Sequence, residues 1–109
     1  MDEAKRRQIE RAATELTKNL IDQGKLIEAG FAAFASYVIP PNAPATQLRE
    51  MQLAWMAGAE HVWSSVMGML DPGEEPSEAD LRRMGLIQQE IDKWRTKISE
   101  RIDHAKGNA

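Results

Sequence analysis

With 109 residues, no cysteine, a formal charge of −3 and a pI near 5.4, the chain is one domain's worth of mildly acidic sequence. Those values exclude disulfide scaffolds, thiolate nucleophiles and cysteine-ligated metals. They also speak against a general nucleic-acid binder, in which clustered Lys and Arg usually carry the domain pI above about 9.

The first eleven residues, MDEAKRRQIER, contain no apolar h-region, so no secretory signal is expected. The longest uncharged stretch, Ala29 to Leu48, is interrupted by Pro40, Pro41 and Pro44, so it does not supply the ~20-residue apolar helix that a membrane span needs. The chain therefore reads as soluble and cytoplasmic, with no membrane partner.

The first predicted helix spans about residues 2–38. Apolar or small residues recur in steps of three and four at Ile9, Ala13, Leu16, Leu20, Gly24, Ile27, Phe31, Phe34 and Val38, the periodicity of a long helix packed at a shallow angle. Gly24 costs up to about 1 kcal/mol relative to Ala inside a helix, so it either kinks this segment or splits it in two. Ile39 precedes Pro40 and is biased away from the helical region, which ends the segment.

The second predicted helix spans about 44–70, between the turns Ile39-Pro40-Pro41-Asn42-Ala43-Pro44 and Asp71-Pro72-Gly73-Glu74-Glu75-Pro76. Proline suits its first turn because the missing N–H has no helical acceptor there. From Ala45 to Leu70 the only formal charges are Arg49, Glu50 and Glu60. One apolar stripe runs through Leu48, Met51, Trp55, Ala59, Val62, Val66 and Met69. A second runs through Leu53, Met56, Trp63, Met67 and Leu70, and a third face carries Ala54, Gly58, His61, Ser65 and Gly68.

The third predicted helix spans about 77–105. Ser77 is an N-cap, with Asp80 three residues on as a short-armed capping box. Glu78 and Asp80 suit the positive end of the helix dipole. Leu81, Met84, Ile87, Ile91, Trp94, Ile98, Ile102 and Ala105 form one seam, and Gly107-Asn108-Ala109 is a fraying tail.

Short connections between long helices predict an all-α, three-helix up-down-up antiparallel bundle forming a single domain, 1–109. Two helices cannot cover the circumference of a third. The second helix should keep apolar surface open, and such patches usually mark interfaces. A homo-oligomer joined through that helix is expected.

No catalytic pattern emerges. His61 and His104 lack metal-ligand partners at helical spacing. Ser64 and Ser65 lack a nucleophile-elbow context, and Glu74-Glu75 lacks the alternation of a calcium loop. Neither enzymatic activity nor a cofactor is expected. Trp55, Trp63 and Trp94 lie on apolar seams and read first as core. Tyr37 lies beside the proline turn and reads either as a cover for the bundle's end or as a stacking surface.

Gly24-Lys25-Leu26-Ile27-Glu28-Ala29-Gly30-Phe31, Val38-Ile39-Pro40-Pro41-Asn42-Ala43, Glu50-Met51, Ala57-Gly58-Ala59-Glu60-His61 and Glu75 to Met84 together resemble a family of small helical proteins of bacteriophages and prophages. The likeness covers about residues 17–95 and implies no particular function. The order of Tyr37, Pro40-Pro41-Asn42 and Pro76-Ser77-Glu78 is also similar to that of phage anti-CBASS sponges, helical oligomers that sequester cyclic oligonucleotide signals. This chain has a much longer first helix and a longer, more apolar central one.

That second likeness implies a small anionic nucleotide ligand. A site for one needs a stacking surface, hydrogen-bond donors and a cation for phosphate. Tyr37 would stack, Asn42 and Thr46 would hydrogen-bond, and Arg49 would pair with phosphate, with Lys25 or a basic residue of another protomer closing the pocket. In the competing readings Arg49 is an ordinary surface residue of a first turn, and the chain is a structural or adaptor protein of a phage that binds a protein partner. A DNA-binding role for Lys5, Arg6, Arg7 and Arg11 is disfavoured by the interleaved acids and the net charge.

Overall fold

A computed structural model describes the backbone of residues 2–107 and the side chains of 2–104; Ala105 of the predicted seam and Asn108-Ala109 of the predicted tail lie outside those described side chains and residues. The protein is all-α. Four helices follow one another: α1 (Glu3–Asp22), α2 (Leu26–Val38), α3 (Ala45–Met69) and α4 (Glu78–Gly107), with no strand among the described residues. The second and third predicted helices match α3 and α4 to within one or two residues. The three-helix expectation is corrected, because the segment predicted over 2–38 is two helices.

Gly24 makes the break. Its φ of 70° is a left-handed value that L side chains adopt only with strain. There the Gly24 N–H donates to the Ile21 carbonyl (2.9 Å) and the Lys25 N–H to the Leu20 carbonyl (2.8 Å). These two bonds form a Schellman closure, which satisfies carbonyls at the end of α1. A Cβ at Gly24 would meet nothing within 4 Å, so the residue is required by backbone conformation and not by space. Gly24→Ala should therefore destabilise the first unit by about 1 kcal/mol. A variant whose thermal midpoint matches the parent's would contradict this origin of the break.

The chain divides into two compact units, Met1–His61 and Val62–Ala109, with α3 contributing to both. In the first unit, the Asp2 side chain caps α1 by accepting from the Lys5 N–H (2.8 Å). Three exposed ion pairs decorate that helix: Arg6–Glu10, Arg7–Glu3 and Lys18–Glu15. No residue of α1 is buried.

The core of this unit is aromatic. Phe31, on α2, is its buried apolar residue. The Trp55 ring of α3 lies 6.1 Å from the Phe31 ring, edge-on, and 5.2 Å from that of Phe34. Its indole N–H donates to the Ile27 carbonyl (3.0 Å). Gly30 lets the indole approach, since a Cβ there would lie 3.1 Å from Trp55 Cζ2. Half-buried Met51, Trp55 and Ala59 belong to the first predicted stripe, whereas Leu48 and Val62 of the same stripe are exposed, so the sequence period places the inward face of α3 only in part.

In the second unit, Val66 and Met69 at the end of α3 are half-buried, as are Met84, Ile87 and Ile98 on α4. The connecting turn is organised by Asp80, which is fully buried. The Ser77 N–H donates to Asp80 Oδ2 and the Asp80 N–H to Ser77 Oγ, both at 3.1 Å, closing the predicted capping box.

Candidate functional site

Four of the five proposed ligand residues, Tyr37, Asn42, Thr46 and Arg49, flank the turn between α2 and α3. Ile39 ends α2 in an extended conformation (φ −94°, ψ 124°), as a residue before proline should. The Ala43 N–H donates to the Pro40 carbonyl (3.0 Å), closing the turn that holds Asn42 at the surface. The Pro44 carbonyl accepts from the Leu48 N–H (3.1 Å) and starts α3.

Tyr37 stands in the last turn of α2 and is 90% exposed. Such a ring covers nothing in its own protomer, so the end-cover reading does not hold there. Arg49 reaches back one turn and donates to Thr46 Oγ1 at 3.4 Å, a long bond. These two residues are thus brought together, one turn into α3. Arg49 also lines a shallow open groove with Glu28, Gln52, Leu53 and Met56. The Glu28 carboxylate opposes an anion within that groove. Its presence depends on how α2 meets α3, and no short-range pattern signals it.

Lys25 is placed apart from the others. It caps the start of α2, with no side-chain capping bond, whereas Tyr37 is at the other end of that helix. Twelve residues at 1.5 Å each separate them by about 18 Å. Within one protomer Tyr37, Asn42, Thr46 and Arg49 share one end of the α2–α3 hairpin, and Lys25 does not.

A second polar cluster lies in the other unit. Asp80 accepts from the N–H groups of Asp71 (3.1 and 3.2 Å) and Ser77, and Arg83 Nη1 lies 3.5 Å from its Oδ1. The Ser77 hydroxyl donates to Asp71 Oδ2 (2.6 Å), and Arg83 also faces Asp71 at 3.8 Å. Burial by itself would raise the Asp80 pKa, but the two backbone N–H bonds, the Ser77 bond and Arg83 outweigh it and hold the value below the ordinary aspartate range. Both oxygens of this carboxylate are used within the fold, so Asp80 acts as a structural lock for the turn. Asp71 and Arg83 are additions to the capping box that the sequence announces only as neighbours of Ser77 and Asp80.

The remaining surface is unusually apolar. In the first unit the second α3 stripe is open, with Leu53 71% exposed. In the second unit Trp63 is 66% and Trp94 60% exposed. Three tryptophans with the same seam signature thus have different environments. Trp55 meets α2, whereas Trp63 and Trp94 are largely uncovered. No helix among the described residues is long and apolar enough to cross a membrane.

Comparison with protein-family models, with curated proteins and with solved structures gives no match to this chain.

Proposed function

We propose that the chain is a non-enzymatic helical protein that works as a homo-oligomer, with copies joined through the open apolar face of α3. One observation carries this reading: Leu53 and Met56 in the first unit, and Trp63 and Met67 in the second, remain exposed on a helix that has almost no charge. Apolar side chains exposed in this way within each unit are normally covered in water, and a second copy is the commonest cover.

Leu53→Glu tests that face directly and should lower the oligomer mass, whereas Gly58, about 140° round α3 from Leu53 and Trp63, tests whether the small-residue face takes part as well. A Cβ at Gly58 meets nothing within 4 Å in the protomer, so leucine at that position has room unless another molecule packs against it. Gly58→Leu should leave the helix content intact and weaken association, with an overpacking cost of order 1–3 kcal/mol. Unchanged oligomer mass at all concentrations would remove α3's small-residue face from the interface.

A second reading, favoured by the exposed Tyr37 ring at the end of α2 and by the Arg49–Thr46 pair at the start of α3, makes the oligomer a sponge that holds a small anionic nucleotide without turning it over. A basic residue of another protomer would complete the pocket, since Lys25 of the same chain is at the far end of α2. At a hundredfold excess over its dissociation constant, such a ligand stabilises the protein by about 2.7 kcal/mol. Thermal-shift screening against cyclic di- and trinucleotides and cyclic ADP-ribose-type signals should then reveal a binder, and Tyr37→Ala should abolish the shift. No shift with any of them, in a folded oligomer, leaves a structural or adaptor role with a protein partner as the better reading.

A further inference from the structure

The seam of α1 is largely uncovered: Ile9, Ala13 and Leu16 are exposed and Leu20 is half-buried. None of its 20 residues is buried. Its apolar positions Ile9, Ala13, Leu16 and Leu20 follow steps of four, three and four, the spacing that seats one helix against another as knobs into holes. Leu16 is 60% exposed in the centre of that line, and Ile9 is half exposed. The same spacing continues outward to Arg6 at one end and Gln23 at the other.

From this we infer that α1 pairs antiparallel with α1 of a second copy, across a two-fold axis that passes between Thr14 and Glu15. The inference rests on the homo-oligomer reading and adds a second interface with a defined orientation. Two facts select the orientation. In a parallel, in-register pair Ala13 would face Ala13 and leave a gap, and Arg6 would face Arg6 with like charges adjacent. Turning one helix round sets Ala13 against the larger Leu16, Ile9 against Leu20, and Arg6 against the uncharged Gln23. The pairing is self-complementary, as an isologous interface must be.

Charge complementarity points the same way. The start of α1 carries Lys5, Arg6 and Arg7, of which Arg6 pairs with Glu10 and Arg7 with Glu3, leaving Lys5 outside those pairs, while its last turn contains Asp22 and no basic residue. The carbonyl end of a helix favours cations, and α1 supplies none for its own. In the antiparallel pair the Lys5–Arg7 segment of one copy, which keeps a net positive charge beside Glu3, lies next to Asp22 and the carbonyl end of the other.

The cysteine-free sequence makes the test clean. Ile9→Cys and Leu20→Cys are prepared separately, mixed and oxidised. The antiparallel pair should give a mixed disulfide between positions 9 and 20 in several-fold excess over the product of either variant alone. Homodisulfides forming readily in each variant alone would instead indicate a parallel pair and overturn the orientation. Leu16→Glu, in the cysteine-free chain, should lower the oligomer mass while the thermal midpoint of the remaining helices holds. A monomeric parent protein would remove this inference together with the homo-oligomer reading. An oligomeric parent with no 9–20 disulfide, and with its mass unchanged by Leu16→Glu, would overturn the α1 pairing alone.

Discussion

Trp55→Ala should lower the stability of the first unit by about 3 kcal/mol, and with it the thermal midpoint by more than about 10 °C. The indole is the main contact that joins α3 to α2: it touches Phe31 and Phe34, lies against Gly30 and donates to the Ile27 carbonyl. Truncating a fully buried Trp costs roughly 3–5 kcal/mol. The lower end applies here because the ring is half-exposed, although the lost hydrogen bond adds about 1 kcal/mol. Trp63→Ala provides the control. That side chain is largely exposed, and exposed substitutions away from special features usually stay within about 0.5 kcal/mol, so a substantial effect there must act through assembly. Calorimetry of both variants at matched concentration checks the contrast. A Trp55→Ala protein that melts with its parent would show that this aromatic cluster does not hold the first unit together.

Asp80→Asn should be the most damaging polar substitution in the second unit, and its effect should depend on pH. The carboxylate accepts from two backbone N–H groups, that of Asp71 shared between both oxygens and that of Ser77, and faces Arg83. Asparagine offers one acceptor oxygen in place of two and no charge, so buried donors lose partners. The folded-state pKa is lowered. The stabilisation is therefore fully present above the unfolded value of about 3.9, and is lost as pH falls from there through the lowered folded value. Thermal midpoints measured from pH 7 down to pH 2 should show the parent falling faster than Asp80→Asn below about pH 4, with the gap between them narrowing. Two parallel curves would mean that the ionised form of Asp80 contributes nothing to stability.

The helix boundaries were legible because each has a local chemical cause. Ile39 before Pro40, Pro44 ahead of α3, and the Ser77–Asp80 box all act over a few residues, and the helices begin and end where those signals stand. Gly24 was legible as a defect in the first predicted helix. Its outcome, a break and not a kink, depends on a left-handed φ and the closing bonds around it, which periodicity alone does not encode. Which tryptophan is covered was not legible. Trp55, Trp63 and Trp94 share the same spacing on apolar seams, and only the approach of α2, made possible at Gly30, separates Trp55 from the others. The candidate site shows the same division. Tyr37, Asn42, Thr46 and Arg49 flank one turn in the sequence, and of these Thr46 and Arg49 are brought together, while Lys25 and Glu28 are positioned by α2 as a whole. Lys25 falls at its far end, and Glu28 enters the groove of Arg49.

The central claim is that copies of this chain cover one another's apolar surface, and light scattering of the parent protein across micromolar concentrations tests it most directly. The account predicts a single species whose mass is a multiple of 12.2 kDa and persists on dilution through that range. A folded, helical protein that scatters as a 12.2 kDa monomer throughout would contradict it.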